Sequence, residues 1–505
     1  MVGIRDGMGA LWQAPDAAEM IQQDGRWVRW GEVRQLVERL DAELTRVGCG
    51  EGSRIGVVLG NRMESVAAMV AILGKGRTIV TLNPMQPTAR LTADLVNSLP
   101  QVVLGPASVW AEPEFFSATA NAGIVGFAVD GADVLQRTGG SGVVTIPTPP
   151  AAEPPIAVEM FTSGTTGPPK RVPLTWRQLD SAMSAVHGHT GAAGPKRDPL
   201  TGRVSLVFLA LVHIGGLWPV LQALTEARPI VLLPRFTVDG WVAAVSEHQL
   251  RVASLPPPAM RSLLSAEVPA EKLASLRAVT AGTTRLSPDL ADEFTRRYGI
   301  PALIMYGATE FSGAIAGWTK PLHTEWWARK RGSVGQPFPG VRLRVVGDDG
   351  NVLPVGETGK LEVRAGQTGR GEDSWTLTSD LAHLDEDGFL YLDGRADDAI
   401  VRGGFKVHPD VVTEALRAHP SVLDASVYGK DDDRLGQVPV AVVELVDGAA
   451  PLDADEVKVF LRGQLTAYEV PVVIHTVDEL PRGVSLKIDR RRLLELVADL
   501  EAARV

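Results

Sequence analysis

From residue 31 to residue 84 the chain alternates helical and strand patterns without interruption. GEVRQLVERLDAELTRVG at 31–48 carries apolar residues at helical spacing, and RIGVVLG at 54–60, after the Gly50/Gly52 turn, reads as a buried strand. ESVAAMVAILGKG and then RTIVTLNP repeat the pair at once. Apolar strands joined through helices are parallel neighbours linked by crossovers, so this alternation predicts a mainly parallel sheet covered by helices on both faces. Few other folds accept such a pattern.

Over 505 residues several such units fit. The Gly- and Pro-rich stretch 137–155 reads as a linker between two α/β subdomains, and 332–395 changes to short strands broken by turns. After Gly394-Arg395 the pattern predicts a helix at 409–418, strands near 423–428 and 438–446, and a helix at 455–466. The expected architecture is therefore α/β, with α/β subdomains and a small β-rich unit making a large N-terminal domain over 1–396. A small, compact α+β domain follows over 397–505. One stretch, Val204 to Thr225, has no Asp, Glu, Lys or Arg, but its glycines and Pro219 suit a buried strand entering a helix better than a membrane span.

A net charge of −10 offers no general attraction for phosphate backbones or anionic lipid, so nucleic acid and membrane are not expected partners. Cys49 is the single cysteine, which excludes an internal disulfide. With charged residues breaking up the first twenty positions, no targeting peptide is visible, and a cytoplasmic protein is expected.

The most informative segment is Phe161-Thr162-Ser163-Gly164-Thr165-Thr166-Gly167-Pro168-Pro169-Lys170, which follows the strand IAVEMF. Its hydroxyls, glycines and lysine have the composition of a polyphosphate cradle. The glycine and lysine spacing does not fit a P-loop kinase. After the strand ALIM, Tyr306-Gly307-Ala308-Thr309-Glu310 sets an aromatic face, a hydroxyl and a carboxylate where α/β sheets collect ligands. A tyrosine can stack on a base, and a carboxylate such as Glu310 can hold Mg²⁺ together with phosphate. Asp380 and Arg395 could hydrogen-bond ribose hydroxyls. Taken singly, each of these is as readily a solvated surface group.

In order along the chain these segments resemble the adenylate-forming superfamily of acyl-CoA synthetases, adenylation domains and firefly-type luciferases. The resemblance runs nearly end to end, through LVHIGGL at 211–217, TAGTT at 280–284, YGATE at 306–310, GSVGQPFPG at 332–340, TSD at 378–380, GRADD at 394–398, RGGFKVHP at 402–409 and LPRGVSLKIDRRRL at 480–493. It implies that Thr162 to Lys170 hold the β- and γ-phosphates of ATP, that Tyr306 stacks on adenine near Gly282, Thr283 and Thr284, and that Thr309 touches the α-phosphate. It further implies Glu310 as the magnesium ligand and Asp380 and Arg395 on the ribose. Asp397 becomes an interdomain hinge, and Lys487 bridges the substrate carboxylate and α-phosphate. His213 falls at the acyl pocket, and Gly403 and Gly404 line the path of the CoA pantetheine.

The chain departs from the family pattern in four places: Ser379 and Leu486 stand where glycine is usual, Arg171 follows the loop lysine, and Asp410-Val411-Val412-Thr413 replaces an acidic run. The implied reaction is attack of a carboxylate on the α-phosphorus of ATP, then of the CoA thiolate on the acyl-adenylate. Small or apolar residues around His213, Trp218, Gly282, Phe311 and Gly313 carry no carboxylate to anchor an amino group, so a neutral aliphatic or aromatic acid is expected. A stand-alone enzyme loading a carrier protein in trans, a catalytically weakened nucleotide-binding homologue, and a homodimeric state all stay open.

Overall fold

A computed structural model of the chain describes residues 3–139, 155–162, 170–191, 198–370, 373–396, 399–402, 405–432, 434–483 and 486–502. Contacts divide the chain into two compact units. The first comprises Met1–Glu325, Phe338–Val341 and Ala365–Ser374, and the second Trp326–Pro337, Arg342–Arg364 and Trp375–Val505. The boundary expected at 396/397 falls inside the second unit, between strands Leu390–Arg395 and Ile400–Arg402.

The alternation of the first hundred residues produces the sheet it predicts. Strands Val125–Asp130, Val102–Gly105, Arg54–Val58, Thr78–Leu82 and Ile156–Thr162 lie side by side in that order, all parallel. Antiparallel strands Asp133–Thr138 and Lys170–Thr175 close its two edges. The first residues of the expected linker thus belong to an edge strand, Asp133–Thr138, in which Thr138 pairs with Gly126; residues 140–154 lie outside the described residues. Helix Trp30–Arg46 buries Val33, Leu36, Val37, Leu40 and Leu44 along one stripe, as its spacing requires. Helix Met63–Leu73 is buried from Ser65 onward, matching a sequence that is apolar all round.

A second sheet in this unit orders Val252–Ser254, Ala278–Ala281 and Ala302–Ala308 as parallel neighbours, with Gly313–Gly317 antiparallel to the last. A third joins Ser205–Val207 and Ile230–Leu232 to the hairpin Glu19–Gln23/Arg26–Arg29. The uncharged stretch 204–225 is core: its strand ends at Val207 and helix Ile214–Thr225 follows. Among the described residues no helix is long and apolar enough to cross a membrane.

In the second unit, Arg342–Val346, Gly359–Arg364, Thr376–Leu384 and Leu390–Arg395 form an antiparallel meander. Strands Val422–Asp432 and Gly436–Leu445 pair over ten residues each way and pack with helices Pro409–Arg417 and Ala454–Arg462 around Val412, Leu416, Val443, Val457 and Leu461.

Candidate active site

The strands on either side of the hydroxyl- and glycine-rich segment form a β-hairpin. Strands Ile156–Thr162 and Lys170–Thr175 pair so that Thr162 faces Lys170 and Phe161 faces Arg171. Ser163, Gly164, Thr165, Thr166 and Gly167 lie outside the described residues. The hairpin is held from below: Glu159, only 8% exposed, takes a two-pronged bond from Arg54 at 2.7 and 2.8 Å. Such a fork fixes orientation as well as charge. Arg171 turns back to the same carboxylate at 3.5 Å and lies over the Phe161 ring. Burial pulls its pKa down, and Glu159 opposes that shift. Arg171 therefore serves the hairpin's underside, a use for the arginine that its place beside the loop lysine does not disclose.

The strand leading to Tyr306 runs further than ALIM suggested. It continues to Ala308, placing Tyr306 and Gly307 inside it, because Gly313–Gly317 pairs back on it with Tyr306 opposite Ala316 and Gly307 opposite Ala314. Tyr306 is buried at 9% exposure, Thr309 and Glu310 open the tight turn Thr309–Phe311, and Glu310 is exposed. Position 307 admits only glycine, since a Cβ there would lie 2.1 Å from the Gly313 carbonyl oxygen. The Gln367 amide, buried, donates to the Phe311 and Ala314 carbonyls at 2.9 and 2.8 Å and so fixes this turn. No local pattern around Gln367 signals that role.

Gly282, Thr283 and Thr284 follow strand Ala278–Ala281 at the carboxyl edge of the same sheet. Thr283 holds a left-handed φ of +69°, a conformation that a β-branched residue rarely takes. The Thr283 and Thr284 hydroxyls are both buried without a hydrogen-bond partner among the described residues. Buried hydroxyls are ordinarily satisfied, so two orphans at a sheet's carboxyl edge leave hydrogen-bonding capacity for a ligand.

His213 stands at the N-cap position of helix Ile214–Thr225, its side chain making no capping bond. Its segment is clamped by Asn61, whose amide donates to the Leu209 and Leu233 carbonyls at 3.1 and 3.0 Å while its oxygen accepts from the Leu211 N–H at 3.1 Å. Asn61 is a positioning residue that the sequence reading passed over. The helix start reaches Thr283, as a Cβ on Gly215 would lie 3.2 Å from Thr283 Cγ2. A Cβ on Gly313 would meet the Trp218 ring at 3.6 Å. His213, Thr283, Gly313 and Trp218 thus share one neighbourhood of the first unit.

In the second unit Asp380 and Arg395 are direct cross-strand partners. The departure at 379 has a visible effect: Ser379 Oγ accepts from Arg395 Nη2 at 2.5 Å, a contact glycine cannot make. Asp397, Gly403 and Gly404 lie outside the described residues, the two glycines between the paired Arg402 and Phe405. Lys487 is exposed in a tight loop closed by the Arg482–Ile488 bridge, with the Gly483 N–H donating to the Lys487 carbonyl at 2.7 Å. Leu486 has φ +61°, so this leucine takes the backbone that its usual glycine would take freely. That costs about 1–2 kcal/mol for an L-residue. In the departure at 410–413, Val412 and Thr413 are buried in helix Pro409–Arg417.

The AMP-binding enzyme family model matches residues 10–371, and the AMP-binding enzyme C-terminal domain model matches residues 412–487. The indoleacetate–CoA ligase of Aromatoleum aromaticum is 30% identical over 497 residues, covering 94% of each chain. The 2-succinylbenzoate–CoA ligase of Bacillus velezensis is 31% identical over 458 residues, covering 88% of each. Among solved structures, O-succinylbenzoate coenzyme A synthetase from Bacillus subtilis, in complex with ATP and a magnesium ion, superposes with a TM-score of 0.79 at 25% identity, over 97% of this chain and 99% of that one.

Proposed function

The chain belongs to the AMP-binding enzyme family, and from that premise we propose how its own residues divide the work. It is an AMP-forming acid–thiol ligase: a carboxylic acid displaces pyrophosphate from ATP to give an acyl-adenylate, and the thiol of CoA then displaces AMP. The reading of its site rests on one observation above others, the pair of buried hydroxyls on Thr283 and Thr284, without a partner among the described residues, beside the strand carrying Tyr306. Adenine stacks on Tyr306 and is bounded by Gly282–Thr284. Thr162, Lys170 and the loop between them hold the β- and γ-phosphates, Thr309 meets the α-phosphate, and Asp380 and Arg395 take the ribose.

Two anions approach each other in the first step, so groups that offset charge contribute most to the rate. Magnesium, when bound, would neutralise phosphoryl oxygens. Glu310 fits that ion, being an exposed carboxylate at the turn, and no cluster of three or more acidic, His or Cys side chains exists among the described residues to form an all-protein cage. An ion held by one carboxylate with phosphate and water oxygens suits magnesium's coordination habit. Lys487 bridges the carboxylate and α-phosphate. Residues 1–396 supply the nucleotide and acyl pockets and 397–505 act as a lid turning at Asp397, which exchanges the Lys487 face for the Gly403-Gly404 face that admits pantetheine.

The acid is a neutral aliphatic or aromatic one, entering near His213 beside Trp218, whose ring packs close to the Gly313 backbone; the cluster offers aromatic and apolar contact. A cytoplasmic setting is consistent with the one buried thiol, Cys49. Carboxylate-dependent ATP–pyrophosphate exchange across a panel of acids tests the assignment, followed by a comparison of CoA with a phosphopantetheinylated carrier as acceptor. Exchange with at least one neutral acid and turnover with CoA are expected; exchange only with amino acids, or transfer only to the carrier, would overturn the substrate assignment. The left-handed Leu486 favours a second reading, a homologue slowed in adenylation, which predicts exchange with no acid tested.

A further inference from the structure

The loop that carries Lys487 is closed at its base by backbone bonds: Arg482 bridges Ile488, the Leu486 N–H donates to Gly483, and the Asp489 N–H to Pro481 at 2.8 Å. Two contacts tie that base to the domain: Ile488 packs against the cluster of Tyr428, Val440, Val442 and Leu480, and one side chain reaches inward. Arg482 leaves the loop inward, its Nη2 lying 2.5 Å from Asp424 Oδ2 and 3.5 Å from Glu444 Oε2.

Asp424 is 1% exposed and fully engaged. Its Oδ1 accepts from Arg417 Nε at 2.7 Å and from the Ala425 N–H at 2.8 Å, so Oδ2 is left for Arg482. Arg417 is also paired with Glu414 at 2.6 Å, and Glu444 Oε2 takes the Leu480 N–H at 3.0 Å, just ahead of the loop. Five charged side chains thus link helix Pro409–Arg417, strands Val422–Asp432 and Gly436–Leu445, and the base of the Lys487 loop.

Stability alone gives a poor account of this arrangement. Buried ion pairs roughly break even against apolar side chains of similar volume, since desolvation cancels most of the attraction. What the pairs do supply is direction, because Nη2, drawn to two carboxylates that belong to neighbouring strands, fixes where the base of the loop lies. We propose that Arg482 is a positioning residue for Lys487, orienting the lysine loop through Asp424 and Glu444. The inference rests on the reading that Lys487 acts in adenylation. It makes a claim a purely structural role would not: loss of Arg482 should damage the half-reaction that uses Lys487 and spare the half-reaction that does not.

The test uses the full-length protein with Arg482→Met, Arg482→Lys and Glu444→Gln, beside Lys487→Ala. Adenylation is followed by pyrophosphate exchange, thioester formation from a supplied acyl-adenylate and CoA, and loop order by hydrogen exchange of the amides of residues 486–489. Arg482→Met is expected to lose about tenfold or more in adenylation, as for an ångström-scale misplacement, while thioester formation stays within about twofold. Arg482→Lys should recover part of the loss, and the 486–489 amides should exchange faster while those of helix Pro409–Arg417 do not. Should Arg482→Met fail to fold, Glu444→Gln, which keeps the acceptor for Leu480, should show the same asymmetry in milder form. Equal losses in both half-reactions, or unchanged adenylation in Arg482→Met while Lys487→Ala abolishes it, would overturn the proposal. Full adenylation in Lys487→Ala would instead remove Lys487 from the chemistry, and the amide exchange would then still show whether Arg482 orders the loop.

Discussion

Gly307→Ala isolates the close approach of two strands beside Tyr306. The added methyl would sit 2.1 Å from the Gly313 carbonyl oxygen and 2.5 Å from Ala314 Cα. Ordinary contact requires the strands to part by more than about 1 Å, and both obstructing atoms are main chain, so no side chain can rotate away. Overpacking of this kind costs about 1–3 kcal/mol, and the rigid neighbours put this case near the upper end. At roughly 2 °C per kcal/mol for a unit of several hundred residues, the melting temperature should fall by about 6 °C. The same displacement moves Tyr306 and Thr309, and a misplacement of about 1 Å can lower a positioned reaction by roughly 100-fold. Gly60→Ala is the control, since its methyl would meet only the Arg62 stem at 3.7 Å. Thermal melting and acid-dependent pyrophosphate exchange, measured on both variants, check the argument. A Gly307→Ala protein that melts within a degree of the parent and exchanges within twofold of it would refute the steric reasoning and the placing of Gly307 beside the nucleotide.

Glu310→Gln should lower pyrophosphate exchange by about tenfold or more and weaken its dependence on magnesium concentration, and an unchanged rate and magnesium titration would remove Glu310 from the metal site. Burial pushes the Cys49 thiol up to about 11, against the opposing charge of Arg77. An aromatic disulfide reagent at pH 8 should therefore leave the native protein unlabelled and take up one equivalent in denaturant; rapid native labelling would contradict the burial. Burial also holds His189 and His323 below the usual imidazole range. The unfolded chain takes these protons near pH 6.5 and the folded one resists them, so stability is intact above about 6.5 and is lost as pH falls below it toward the folded values. Urea midpoints between pH 7.5 and 5.5 should show that decline. His189→Phe, which keeps a ring against Phe338, should flatten part of it; a flat profile in the parent would count against both burials.

Much of the fold was legible because its signals are local. Apolar runs of strand length alternate with helical stripes through the first hundred residues, and the parallel sheet follows from that period alone. The ordered motifs likewise carry the family, since glycines, hydroxyls and lysines at set spacings require no knowledge of what lies across the molecule. The strand through Tyr306 was read short for the opposite reason: its continuation depends on Gly313–Gly317 folding back on it, and glycine and alanine carry weak strand propensity.

The residues that orient the site were hidden because their partners are far away in sequence. Asn61 reaches Leu209 and Leu233 across separations of 148 and 172 positions, and Arg482 reaches Asp424 across 58. An isolated Asn or Arg has no periodicity to betray it. Leu486 shows the division within one residue: its identity, where glycine is usual, stands in the sequence, but whether the backbone changes to suit leucine or leucine accepts φ +61° is decided by the loop closing between Arg482 and Ile488. By itself the sequence determined the α/β class, the order of the elements and the chemistry the chain can carry, all consequences of short-range pattern and residue type. The Arg482–Asp424 pair below Lys487, the clamp on the His213 segment and the hydroxyls of Thr283 and Thr284, buried without a partner among the described residues, were decided only by tertiary structure, because hydrogen bonds and ion pairs depend on distance in space, which the order of residues does not specify.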